Sequence, residues 1–212
     1  IVLRVDSPGG DALASDLIAE VLRKGKGKKP IIVSQGYVAA SGGYWLSMFA
    51  DTIVAAPNTI TGSVGVIGSF MFNKTLKQDL GLSVDHVQKG KFADLGFGAT
   101  LPLIGISLPD RDFTDEELKM AETGIKTLYK GFVEKVALGR KKSFDDIEKI
   151  AQGRVWSGSN GLKNGLVDVL GGLDAAIKIA LQKANLISSE YEIIEMPEPE
   201  WFDLNSFLPS FL

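Results

Sequence analysis

Ile31–Ala56 reads IIVSQGYVAASGGYWLSMFADTIVAA. Its opening, Ile31 to Ser34, and its close, Thr52 to Ala56, are β-branched and almost wholly apolar, as expected of strands covered on both faces in a parallel sheet. Between them, Tyr44 to Ala50 is apolar enough for a buried helix, and Ala39-Ala40-Ser41-Gly42-Gly43 forms the turn that opens it. Two strands joined through a helix by short connections make a right-handed crossover unit.

Upstream the pattern repeats. Ile1 to Val5 is another strand, Asp6-Ser7-Pro8-Gly9-Gly10 a second glycine-rich turn, and Leu13, Leu17, Ile18, Val21 and Leu22 recur at helical spacing after Gly10-Asp11. Downstream, Thr61-Gly62-Ser63-Val64-Gly65-Val66-Ile67-Gly68 alternates glycine with β-branched residues, an irregular or edge strand that another backbone can approach closely. A loop rich in Gly and Leu covers Gly96 to Leu108. Thr114-Asp115-Glu116-Glu117 is then a capping box, and Leu118, Ala121, Ile125, Leu128, Phe132 and Val136 mark a long amphipathic helix ending near Gly139. Ser143 caps a shorter helix through Ile150, and Leu173 to Leu186 forms a last one. The tail from Ser188 carries an expected strand at Tyr191 to Met196 and the aromatics Trp201, Phe202, Phe207 and Phe211. Repeated β-α-β units followed by helices define an α/β fold, with residues 1–187 as one domain and 188–212 as an extension.

With 212 residues, 45% of them hydrophobic, the chain can bury a full core. A net charge of -3 without a sustained basic face gives no reason to expect nucleic acid. The cluster Arg23, Lys24, Lys26, Lys28 and Lys29 falls between helix and strand, the place of a solvated loop. The absence of cysteine excludes disulfides and thiol catalysis, and the single His86 excludes a histidine-rich metal centre, so no cofactor is expected. No stretch approaches the roughly 20 apolar residues of a membrane span. Ile1 already reads as strand, as if the chain were a piece of something longer.

Sites in open α/β sheets form where strands turn into helices, and both glycine-rich turns lie at such points. At a helix start, Ser41 would sit in a field favouring negative charge, beside N–H groups of Gly42 and Gly43 that lack intrahelical partners. Gly9-Gly10 can turn a further N–H outward, so the turns together could form an oxyanion hole. Ser41 reads equally as a plain N-cap and the glycines as turn residues. Neither turn matches the G-x-S-x-G elbow of α/β-hydrolases. A serine nucleophile needs a base: His86, with Asp85 or Asp94, is one candidate, and a desolvated lysine is the other.

Taken together, Val5-Asp6-Ser7-Pro8-Gly9-Gly10, Val38-Ala39-Ala40-Ser41-Gly42-Gly43-Tyr44, Thr61-Gly62-Ser63-Val64-Gly65-Val66, Gln152-Gly153-Arg154-Val155-Trp156-Ser157-Gly158 and Gly165-Leu166-Val167-Asp168 resemble, in order and interval, the signal peptide peptidase A (protease IV) family of S49-type serine peptidases. The resemblance implies a ClpP/crotonase-like fold and a Ser/Lys dyad enzyme. It implies Ser41 as nucleophile, Gly10 and Gly42 as oxyanion donors with Gly9 beside them, and Gly62, Ser63, Val64 and Gly65 along a groove for extended peptides, signal peptides among them. It also implies a homo-oligomer associated with a membrane, its active domain outside the cytoplasm or in a plastid-type compartment.

The base departs from the family pattern. Short members carry lysine in K-S-G-x-x-K-D, and the matching Gln88-Lys89-Gly90-Lys91-Phe92-Ala93-Asp94 puts Ala93 in its place. Long members hold two tandem copies, lysine in the first and serine in the second, so the resemblance implies that this chain is the second copy and that an N-terminal half supplies the base. An engineered lysine-to-alanine change is the alternative. Lys89 and Lys91 remain substitutes, of which Lys91 preserves the strand parity. A crotonase-type acyl-CoA enzyme and a non-catalytic assembly half are the rival functions.

Overall fold

A computed structural model describes residues 1–70, 79, 81, 85, 87–96, 98–101, 106–109, 111–186 and 191–197. In chain order its elements are β1 (Val2–Ser7), α1 (Ala12–Gly25), β2 (Ile32–Ala40), α2 (Gly42–Ser47), β3 (Thr52–Ala55), β4 (Ile60–Gly62), β5 (Gly98–Leu101), β6 (Ile106–Pro109), α3 (Asp115–Arg140), α4 (Phe144–Glu148), β7 (Val155–Ser157), α5 (Gly158–Asn164), β8 (Val169–Leu170) and α6 (Leu173–Lys183). The chain divides into two compact units, Ile1–Ile67 with Ile125–Tyr191, and Gly68–Gly124 with Glu192–Leu212.

The first unit is built on a six-stranded sheet in the order β7-β4-β2-β3-β8, with β1 also paired to β2. All its pairings are parallel except β4 with β7. The long β2 organises it. Its first half pairs with β1 and β3, and its second half pairs with the end of β1, Ser7 opposite Ala39, and with β4, Val38 opposite Ile60 and Ala40 opposite Gly62. Because Ile31–Ser34 is buried on both faces, helices cover both. On one face, α6 packs Ala176 against Ile32 and Val54. On the other, Tyr44, Trp45, Met48 and Phe49 meet Phe132, Val133 and Val136 of α3, with the Trp45 and Phe132 rings stacked at 4.0 Å.

Buried polar groups tie this core together. The Tyr44 hydroxyl donates to the Leu166 carbonyl at 3.0 Å, and burial pushes its phenol well above the ordinary tyrosine range. Arg140 forms a two-pronged pair with Asp168, whose Oδ2 also accepts the Ile53 N–H at 2.7 Å, so the end of α3, β3 and the start of β8 are joined.

In the second unit, β5 and β6 form an antiparallel hairpin, Gly98 opposite Pro109. Arg111 holds Asp94 and Glu117 at once, through bonds of 2.6 to 2.8 Å. Glu117 also accepts the Thr114 N–H at 2.8 Å while its own N–H donates to the Thr114 hydroxyl, which is the reciprocal capping box the sequence predicts.

Several expectations change. β2 runs on to Ala40, β4 stops at Gly62, and 63–70 has no regular pairing pattern of its own. The helix expected to reach Leu186 ends at Lys183. Tyr191 to Met196 is not a strand: no ladder partner reaches it among the described residues, and a strand exists only where a neighbouring edge pairs with it. His86 and the aromatics from Trp201 onward lie outside the described residues, and the neighbouring Asp85 and Val87 are not in a strand.

Candidate active site

Ser41 stands between β2 and α2 with φ 52° and ψ -118°. That corner belongs to glycine-favouring type II′ turns, and a side chain there costs on the order of 1–3 kcal/mol. Two backbone bonds hold it: the Ser41 N–H donates to the Gly62 carbonyl at 2.9 Å, and the Ser41 carbonyl accepts the Trp45 N–H at 2.9 Å. Its side chain makes no capping hydrogen bond to α2. Asp11, Ser143 and Ser157, by contrast, all accept an N–H at their helix starts. The N-cap reading of Ser41 therefore does not hold. Strain of this kind points a hydroxyl away from its own helix, as in the elbow of α/β-hydrolases, although the surrounding motif differs.

Three of the four glycines in these turns, Gly9, Gly42 and Gly43, sit where the turns pack too closely for a side chain. A methyl on Gly9, whose φ is 112°, would sit 2.8 Å from Ser41 Cβ and 2.9 Å from the Gly42 nitrogen. One on Gly42 would lie 2.6 Å from Ser15 Oγ and 3.2 Å from the Gly10 nitrogen, and one on Gly43 only 2.3 Å from the Ser7 carbonyl. The Gly10 and Gly42 N–H groups are thereby gathered beside the serine.

Pro8, Gly10, Ser41, Ser63, Gly65, Val66 and Ile67 line one wall and floor of a cleft of about 620 Å³, and Ile125, Lys126, Tyr129, Gln152 and Gly153 complete it. The 63–65 segment is fixed by a bond from the Ser63 N–H to the Arg154 carbonyl at 2.8 Å and by one from the Gly153 N–H to the Val64 carbonyl at 3.0 Å. Gly65 has no room for a side chain, since a methyl would lie 2.7 Å from Gly153 Cα. Of the predicted groove residues, Ser63 and Gly65 face the cleft, Gly62 acts through its carbonyl on Ser41, and Val64 is fully buried in the core.

Ile125, Lys126 and Tyr129 were not singled out from sequence as site residues. They belong to the apolar and polar stripes of α3, and only the packing of that helix brings them to Ser41. The Tyr129 hydroxyl is shared between the Glu148 carboxylate and the Gln152 N–H; burial, then Glu148, push its phenol up to about 12. Lys126 is exposed and lacks the burial a lysine base requires. Ala93 lies in a turn of the second unit, its N–H directed at the Gly90 carbonyl, and Lys91 is paired with Glu116. Among the described residues no cluster of His, Cys, Asp or Glu could hold a metal ion.

A parallel sheet flanked by helices, with a strained serine at a strand-to-helix corner beside two glycine-rich turns, defines a ClpP-like α/β fold. In keeping with this, a ClpP1 mutant from Listeria monocytogenes matches with a TM-score of 0.53 over 84% of this chain and 76% of its own, at 15% identity, which bears on the fold alone. The chain belongs to peptidase family S49, whose pattern matches residues 23–187. It is 38% identical over 199 residues to the chloroplastic serine protease SPPA of Arabidopsis thaliana, and 40% identical over 187 residues to protease 4 of Salmonella typhi. These alignments cover 93% and 88% of this chain but 28% of each relative. A putative protease of Methanocaldococcus jannaschii is 36% identical, with 92% of this chain and 58% of that protein aligned.

Proposed function

We propose that this chain carries the nucleophile of a Ser/Lys-type serine endopeptidase that cleaves extended, apolar peptides, spent signal peptides among them. The observation that carries the reading is Ser41, held in a costly backbone conformation with its hydroxyl unused by the helix it precedes. Ser41 Oγ attacks the peptide carbonyl as its proton passes to the base. The N–H groups of Gly10 and Gly42 receive the developing oxyanion, and single donors of this kind are worth about 3–4 kcal/mol. The amine leaves with the proton, and water activated by the same base releases the acyl group and restores the serine. The cleft accepts an unfolded segment along Ser63 to Ile67, with Ile67, Ile125 and Val66 offering apolar contact.

The base is a lysine from an N-terminal copy of the same fold, because Ala93 occupies the corresponding step here and Lys126 is exposed. The complete protein is a homo-oligomer attached to a membrane and working outside the cytoplasm or in a plastid. Bacterial and chloroplastic relatives support that placement. The test uses a quenched fluorogenic peptide and a fluorophosphonate probe on the full-length protein and on this chain alone. Full-length protein should be labelled at Ser41 and lose turnover in Ser41→Ala, while the chain alone should be nearly inactive until an N-terminal copy is added. Undiminished turnover in Ser41→Ala would leave only an assembly role, and full activity of the chain alone would remove the shared site.

A further inference from the structure

β1 and β2 are not in uniform register. Val2 to Val5 pair with Ile32 to Gln35 in step, but the next pair is Ser7 with Ala39. From Val5 to Ser7 is two residues, and from Gln35 to Ala39 is four, so β2 carries two extra residues at this point. At about 3.3 Å per residue, the bulge moves the end of β1 roughly 7 Å along β2. Without it, Ser7 would face Tyr37, and Gly9 would fall short of Ser41 by that distance.

Asp6 closes this bulge. Its carboxylate Oδ1 accepts the Val38 N–H at 3.0 Å, and the group lies against Gly36, where a methyl would come within 2.5 Å of Asp6 Cγ and Oδ2. The opposite side is held by Thr59, whose hydroxyl donates to the Gly36 carbonyl at 2.8 Å and accepts the Ala56 N–H at 3.1 Å. Tyr37, at the crest, is 75% exposed and holds nothing in place by packing. The register that sets Gly9 against Ser41 therefore depends on polar contacts.

We infer that Asp6 is a positioning residue for catalysis: by accepting the Val38 N–H over Gly36, it fixes the two-residue slip that aligns the Gly9-Gly10 turn with Ser41. The inference rests on the oxyanion roles proposed above for Gly10 and Gly42. What it requires of Asp6 is an acceptor oxygen, not a charge.

The test is made in the full-length protein with a fluorogenic peptide. Asp6→Ala should lower kcat about tenfold with KM within about twofold, the loss of one aligning hydrogen bond acting on the transition state. Inhibition by a peptide aldehyde, whose adduct with Ser41 draws on the same donors, should weaken by a similar factor. Asp6→Asn, which keeps the acceptor, should stay within about twofold of the parent. Gly36→Ala keeps every hydrogen-bonding group but crowds the carboxylate, and should reproduce Asp6→Ala. The double variant should be no worse than either single one. Gly36→Ala also carries the test if Asp6→Ala does not fold. Parental kcat in folded Asp6→Ala and Gly36→Ala overturns the inference, as does an Asp6→Asn loss equal to that of Asp6→Ala. Ser41→Ala is run alongside: full turnover there defeats the nucleophile itself, an outcome independent of Asp6.

Discussion

Replacing Gly9 by alanine separates catalysis from folding at this site. The new methyl would lie 2.8 Å from Ser41 Cβ, 2.9 Å from the Gly42 nitrogen and 3.1 Å from the Ala40 carbonyl, so the two turns must part by about 1 Å to restore ordinary contact. A displacement of that size at reacting groups costs on the order of 100-fold, and complete loss of one oxyanion donor 100- to 1,000-fold. Alanine at φ 112° adds on the order of 1–3 kcal/mol of backbone strain. For a protein of this size, each kcal/mol lowers Tm by roughly 2–4 °C. Gly27→Ala is the control, because its φ of 83° carries similar strain but nothing lies within 4 Å of the added methyl. Both variants should therefore melt earlier. Only Gly9→Ala should lose kcat/KM, by roughly 100- to 1,000-fold, together with its rate of fluorophosphonate labelling. Parental labelling of folded Gly9→Ala, measured well below its melting point in the full-length protein, would refute the idea that the two turns form one site.

Phe132→Ala removes a fully buried ring stacked on Trp45 and should destabilise the protein by about 3–5 kcal/mol, read from urea unfolding. Gly131→Ala, on a helix interior with open space around the added methyl, should instead stabilise by about 0.5–1 kcal/mol in the same assay. Arg111 first, then the Thr114 N–H, hold the Glu117 carboxyl down at about 2. A depressed carboxyl contributes stability that is complete above its unfolded value near 4.5 and is lost as pH falls towards 2. Between pH 5 and pH 2, Glu117→Gln should thus show a shallower decline in Tm than the parent; parallel declines would exclude Glu117 as a source of acid sensitivity.

The sequence displays the α/β fold because its central strands are long apolar runs separated by a helix and turns of distinct chemistry. Helix starts were equally readable at Asp11, Thr114 and Ser143, each with its own side-chain cap. β7 and β8, of three and two residues, are too short to generate a period and exist only because β4 and β3 offer edges. Tyr191 to Met196 shows the converse, a strand-like composition that joins no edge among the described residues. At the site, the glycine turns mark where chemistry could occur, but whether Ser41 caps its helix or stands free of it depends on ψ, which the Gly62 and Trp45 contacts decide. Lys126 and Tyr129 reach the cleft across a long sequence separation, and nothing in α3 itself distinguishes them from neighbouring surface positions.

The meeting of the two turns also shapes how this cleft can evolve. Where the two turns meet around Ser41, Gly9, Gly42 and Gly43 each exclude a single added carbon. No side chain can be added at these three positions without shifting the turns that hold the nucleophile. Variation in the chemistry of the cleft is left to its lining side chains, among them those at its rim such as Ile67, Ile125, Lys126 and Tyr129. A saturation scan should reveal a sharp boundary: half-buried Gly9 tolerating no replacement, and the rim positions accepting many.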